Sequence, residues 1–172
     1  SDVYKRQGYV DNDGDGFFTE VTNERGLDME GVDAFQADFM DVDQDGWEDL
    51  LITADFLSSQ VYFSNQGTSF TNVTHDINVG TDENGMGSAL GDIDGDGDLD
   101  WFVSSIHVDE DEFCAAFWGC TGNRLYLNEG DGTFQDGTDK FGVRESNWGW
   151  GTAMFDYDLD GDVDLGVANG FT

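Results

Sequence analysis

Apolar residues fall along this chain in short runs, separated by acidic and glycine-rich stretches. Three runs are rich in β-branched and aromatic side chains: Leu50-Leu51-Ile52-Thr53, Trp101-Phe102-Val103-Ser104 and Leu165-Gly166-Val167-Ala168. Such short runs predict strands rather than helices. Each is preceded, beyond a polar stretch, by a segment of small residues that predicts another strand: Ala34–Met40, Gly85–Gly91 and Gly149–Phe155. The first two runs are followed by alternating segments, Val61–Phe70 and Leu125–Phe134, and a third segment of that kind opens the chain at Tyr9–Phe18. Asn and Gly at their tips supply positive φ, so these segments predict β-hairpins. The repeating unit is strand, polar loop, strand, strand, turn, strand.

The polar loops share one spacing: Asp41-Val42-Asp43-Gln44-Asp45-Gly46-Trp47-Glu48-Asp49, Asp92-Ile93-Asp94-Gly95-Asp96-Gly97-Asp98-Leu99-Asp100 and Asp156-Tyr157-Asp158-Leu159-Asp160-Gly161-Asp162-Val163-Asp164. Each is D-x-D-x-D-G-x-x-D. A hard cation such as Ca²⁺ takes six to eight oxygens at about 2.3–2.6 Å. Carboxylates at positions 1, 3, 5 and 9, with the backbone carbonyl of position 7 (Trp47, Asp98, Asp162), would supply them. Four carboxylates this close repel strongly when empty. The glycine at position 6 permits the sharp turn. The EF-hand is the obvious rival, but it needs a bidentate Glu at position 12 and a helix on each side. Position 12 here is Ile52, Val103 or Val167, inside a predicted strand. Three structural Ca²⁺ sites between strands are therefore expected.

The first and second loops begin 51 residues apart, and the second and third 64. An insertion around His107–Gly122 accounts for the difference. Four antiparallel strands per unit describe a propeller blade. The expected architecture is all-β, a partial β-propeller of four-stranded antiparallel blades with Ca²⁺ loops between strands. It comprises a half blade at about residues 8–22, whole blades at about 32–79 and 86–143, and a half blade at about 149–172. Propellers typically close with four to eight blades. The chain is thus expected to be a fragment, marginal or open-edged by itself, whose natural partners include the remaining blades of its own full-length chain. Ser1–Gln7 reads as the in-frame translation of a transposon end used to fragment DNA for sequencing, with a real strand end as the alternative.

Charge narrows the partners. The formal net charge is −32, from 38 Asp plus Glu against 6 Lys plus Arg. Three Ca²⁺ would offset only six of those charges. Nucleic acid is excluded as a partner, because phosphate contacts need Lys and Arg. The surplus suits a solvated surface in salty or calcium-rich water. No apolar stretch approaches the roughly 20 residues of a membrane helix, so membrane insertion is not expected.

Other candidates each carry an ordinary alternative. Cys114 and Cys120 lie in the insertion, either as a local disulfide of a secreted protein or as free thiols. Phe113, Phe117 and Trp118 beside them could anchor a protein or a sugar, or could fold back on the blade. Asp109–Glu112 is a solvated acidic run. Asp11-Asn12-Asp13-Gly14-Asp15-Gly16 begins like a fourth loop, but its position 9 is Thr19, which favours a plain turn. His75 and His107 have no Cys or His at zinc spacing. Asn72-Val73-Thr74 is a glycosylation sequon.

Several of these segments carry a family resemblance: Gly85-Met86-Gly87 before Gly91-Asp92, Asn123-Arg124-Leu125-Tyr126-Leu127-Asn128 through Gly132-Thr133-Phe134, and Gly149-Trp150-Gly151 through Asp164-Leu165 to Ala168-Asn169-Gly170. The chain from about Gly8 onward resembles the FG-GAP/VCBS calcium-binding propeller repeats, also found in integrin α-subunit heads. More closely it resembles the cartilage acidic protein family, whose members often carry an ASPIC/UnbV region. The resemblance implies an extracellular calcium-binding propeller with a binding or scaffold role, and it does not imply chemistry. The module is expected outside the cell, at its surface or in the periplasm, with a protein or glycan as its partner. The alternative is the propeller domain of a secreted polysaccharide-degrading lyase or hydrolase. Such an enzyme should cluster His, Arg, Tyr or Lys at one mouth of the propeller. With six Lys plus Arg in all, the chain is expected not to be an enzyme.

Overall fold

The computed structural model describes residues 8–108 and 119–170. Within them the chain is all-β, apart from one short helix. The strands are β1 (Val10–Asn12), β2 (Phe18–Glu20), β3 (Asp33–Met40), β4 (Asp49–Asp55), β5 (Gln60–Ser64) and β6 (Phe70–Asn72). After them come β7 (Gly87–Gly91), β8 (Asp100–Ser104), β9 (Arg124–Asn128), β10 (Phe134–Asp136), helix α1 (Thr138–Phe141), β11 (Gly149–Phe155) and β12 (Asp164–Asn169).

Two antiparallel sheets have four strands each, in the orders β3-β4-β5-β6 and β7-β8-β9-β10. The hairpins β1-β2 and β11-β12 form separate two-stranded sheets and do not join each other. This is the sheet content of a partial propeller. The registers of the two complete sheets coincide: Leu50 pairs with Tyr62 and Leu51 with Val61, just as Trp101 pairs with Tyr126 and Phe102 with Leu125.

The first two apolar runs become the second strand of each four-stranded sheet because both of their faces are covered, whereas in β12 of the last hairpin the residues are only half-buried or exposed. Alternate side chains point to opposite faces of a strand. Leu50, Ile52 and Tyr62 pack on one side of the first complete sheet with Leu27 and Val32. Leu51 and Val61 pack on the other side with Trp101, Val103 and Tyr126 of the next sheet. Phe102, Leu125 and Leu127 then face Met154, Leu165 and Val167 of the last hairpin. Each sheet thus buries its neighbour, and a continuous run of apolar residues is what a two-sided strand requires.

The small residues of the first strands allow close approach. A Cβ on Gly87 would stand 1.8 Å from the carbonyl oxygen of Trp150 in β11. Across the other boundary, Gln36 in β3 imitates a strand. Its Nε2 donates to the Ser88 carbonyl at 2.9 Å, and its Oε1 accepts from the Ser88 N–H at 3.0 Å.

A buried threonine closes each repeat. The hydroxyl oxygens of Thr22, Thr74 and Thr138 accept from the backbone N–H groups of Tyr9, Val61 and Leu125, at 2.8, 2.9 and 2.9 Å. Two residues earlier, Glu20, Asn72 and Asp136 each accept the threonine's own N–H. The polar outer end of each hairpin is thereby tied down without a longer strand. α1 begins at the last of these threonines and ends at Gly142, whose φ is 71°.

Candidate metal centres

Each acidic loop spans the turn between the first and second strands of a sheet, and the local hydrogen bonds explain its shape. The position 1 carboxylate accepts from the N–H groups of positions 5 and 6: Asp41 from Asp45 and Gly46, Asp92 from Asp96 and Gly97, Asp156 from Asp160 and Gly161. The position 5 carboxylate accepts from position 7: Asp45 from Trp47, Asp96 from Asp98, Asp160 from Asp162. Position 6 is left-handed at Gly46, Gly97 and Gly161, with φ of 91°, 100° and 101°. Position 4 is left-handed too, at Gln44, Gly95 and Leu159.

This winding gathers carboxylates. In the first loop Asp41, Asp43 and Asp45 each offer an oxygen within 4.8 Å of the others, and Asp92, Asp94 and Asp96 do so in the second. In the third loop the gathered trio is Asp156, Asp158 and Asp164. The donor set is therefore all carboxylate oxygen, and the hydrogen bonds just described come from backbone N–H groups of the same loop. Asp92 Oδ1 takes the N–H groups of both Gly95 and Asp96, but every gathered carboxylate keeps at least one oxygen with a lone pair for a further partner. A hard divalent cation fits such a set, whereas soft or redox metals call for sulfur or imidazole.

In the first two loops position 9 stands outside the gathered trio and is tied into the sheet instead. Asp49 and Asp100 are buried, at 1% and 0% exposure. Asp49 accepts from the N–H of Val42 at 3.0 Å and of Ser64, at the end of β5, at 2.7 Å. Asp100 accepts from Ile93 at 2.8 Å and from Asn128, at the end of β9, at 2.9 Å. Each carboxylate therefore clamps its loop to the third strand of its own sheet. Burial pushes Asp49 and Asp100 up to about 6, against these N–H bonds, and the neighbouring loop carboxylates push the same way. A cation in the loop would favour the ionised form of both. Asp164 accepts from the Tyr157 N–H at 3.1 Å.

The acidic turn Asp11–Gly16 is arranged differently. Asp11 is bonded to the Arg25 guanidinium. Asp13 accepts from the N–H groups of Asp15 and Phe17, and Asn12 accepts from Gly14. These are the bonds of a hairpin turn. His75 is exposed and His107 half-buried in an isolated bridge with Thr121. Cys120 packs with Met86 and Ile106. Ser1–Gln7, the acidic run Asp109–Glu112, Phe113, Cys114, Phe117 and Trp118 lie outside the described residues, and with Cys114 the disulfide pairing does too.

Among the described residues no helix is long and apolar enough to cross a membrane. In comparison with known families, the model described as FG-GAP-like repeat matches residues 41–103 and 109–167. No curated protein matches the chain.

Proposed function

We propose, from the premise that this chain belongs to the FG-GAP-like repeat family, that it is an extracellular calcium-binding module with a scaffold or adhesion role toward a protein or glycan. One observation carries the calcium reading. Three loops, far apart in sequence, are wound by the same N–H bonds and gather three carboxylates each within 4.8 Å. Asp41, Asp43, Asp45 and Asp49 would hold one ion. Asp92, Asp94, Asp96 and Asp100 would hold the second, and Asp156, Asp158, Asp160 and Asp164 the third. The carbonyls of Trp47, Asp98 and Asp162 would complete the shells. Ca²⁺ would act structurally here, neutralising the loop carboxylates and rigidifying the module.

The finer kinship, to cartilage acidic proteins, is part of the same proposal and rests on the segments quoted above. So are a Cys114–Cys120 disulfide and a non-enzymatic role. Affinity should be that of extracellular calcium modules, on the order of 10⁻⁴–10⁻³ M. Calorimetric titration of the chain with Ca²⁺ tests the count. Three sites are expected, and a stoichiometry of one or zero would overturn the assignment.

A further inference from the structure

The first and second acidic loops touch across the boundary between sheets, and they do so through the residues that shape them. Gln44, position 4 of the first loop, donates from Nε2 to Asp98 Oδ1 at 2.6 Å, and Asp98 is position 7 of the second loop. Beside this contact Asn128 reaches both loops. Its Nδ2 donates to the carbonyl of Val42, position 2 of the first loop, at 3.3 Å. Its backbone N–H donates to Asp100, position 9 of the second, at 2.9 Å. The turn between β9 and β10 is shaped around the contact, since a Cβ on Gly130 would stand 2.5 Å from Asp98 Oδ2.

Gln44 holds a left-handed φ of 58°, a conformation that disfavours a side chain. The second loop has Gly95 at this position, and the third has Leu159, which is 86% exposed and has no polar side-chain atom. Among the described residues no hydrogen bond joins the second loop to the third. The bridge is therefore specific to one pair of loops.

Resting on the calcium reading above, we infer that the first two loops bind Ca²⁺ with positive cooperativity, transmitted through Gln44–Asp98 and Asn128, and that the third binds independently. An ion in the second loop fixes the backbone of Asp98 and the carboxylate of Asp100. That fixes the partner of the Gln44 amide and the orientation of Asn128, and so holds the first loop in its binding shape. The second ion meets a loop already ordered, which is cooperative by necessity and equal in both directions. Repulsion between the two ions works the other way, but both loops are open to water, and physiological salt screens charges beyond about 8 Å.

The test is calorimetric titration with Ca²⁺ at physiological salt. In the Asp158→Asn background only the first two loops bind, and the Hill coefficient should exceed one. Adding Asp94→Asn leaves the first loop alone, and its affinity should fall at least about fivefold, the lower end of typical coupling. Gln44→Gly copies the second loop's own backbone residue and keeps every carboxylate. Two ions should still bind to it, with the Hill coefficient at or below one and the first site no longer sensitive to Asp94→Asn. First-loop affinity unchanged by Asp94→Asn, with Gln44 intact, overturns the coupling while leaving the sites standing. No Ca²⁺ binding in any form overturns both readings.

Discussion

Asp82 is wholly buried between the two complete sheets, and its chemistry makes a quantitative prediction. The Ser59 hydroxyl donates to one carboxylate oxygen, and the Tyr126 hydroxyl donates to the other at 2.8 Å. The Tyr126 oxygen in turn accepts from the backbone N–H groups of Thr81 and Asp82. Burial pushes the Asp82 carboxyl up to about 6 from 3.8, against the two hydroxyl bonds and the charge of Arg124, which pull it down. Between those pH values the folded chain holds a proton that the unfolded chain has lost. Stability therefore falls as pH rises through this window, and above it the full cost is in force. A gap of about two pH units is worth about 3 kcal/mol. Asp82→Asn should remove that cost without emptying the site. Its amide can donate to Ser59 Oγ, whose own hydrogen can turn to the Ala54 carbonyl 3.2 Å away. Urea unfolding of both chains in saturating Ca²⁺ reads the difference. The variant should be more stable by about 3 kcal/mol at pH 7.5, and the gap should shrink to below about 1 kcal/mol at pH 4. A variant less stable than the parent at pH 7.5, or a gap that ignores pH, would show that the ionised carboxylate is favourable where it sits.

Three further outcomes are expected. Ca²⁺ at ten times its dissociation constant should stabilise the fold by about 1.4 kcal/mol per site; Asp96→Ala should lower the thermal midpoint in calcium and shrink the shift caused by chelator, and a midpoint indifferent to chelator would refute a structural role. Thr138→Val leaves the buried N–H of Leu125 without its acceptor and should cost about 1–3 kcal/mol by chemical denaturation; a loss below 0.5 kcal/mol, roughly the level of a neutral surface change, would mean that the closing threonine is dispensable. Gly87→Ala forces β7 away from the Trp150 carbonyl and should cost roughly 1–3 kcal/mol while shifting Trp150 fluorescence toward that of exposed indole; an unshifted spectrum with unchanged stability would contradict the close approach.

The strands were legible because burial on both faces leaves an unmistakable apolar run, as at Trp101-Phe102-Val103, and because the hairpin tips carry Asn and Gly. The acidic loops were equally visible as a spacing, but their internal roles were not. A spacing shows that Asp49 and Asp100 close a loop; it does not show that their oxygens accept the N–H groups ending β5 and β9, which lie 15 and 28 residues further along. The left-handed backbone at position 4 was hidden because Gln44 and Leu159 are not residues that announce it. Thr22, Thr74 and Thr138 escaped because a buried hydroxyl looks polar in any periodicity. A signal existed all the same: an acid or Asn, one residue, then Thr, recurs as Glu20-Val21-Thr22, Asn72-Val73-Thr74 and Asp136-Gly137-Thr138. The second of these is also the glycosylation sequon. In the fold its Thr74 is buried and its Asn72 side chain is already bonded to Thr74. The contacts of Gln36 and Gln44 with the next sheet depend on packing between repeats, which a single chain of letters does not display.

The coincident registers of the two complete sheets have a practical consequence for engineering. One sheet joins its second and third strands through the few residues between Asp55 and Gln60, and the other through a segment running from Ser105 to Asn123, yet the strands on either side pair identically. The fold thus already contains its own insertion experiment. Lengthening a flexible connection costs little, about 0.6 kcal/mol per doubling. The tight connection of the first sheet, where Phe56 and Leu57 stand exposed in left-handed conformations, is therefore a port for grafted sequence. A peptide epitope or recognition loop placed there would be displayed at a defined edge of a rigid sheet, and an array of such repeats could carry a different one on every blade.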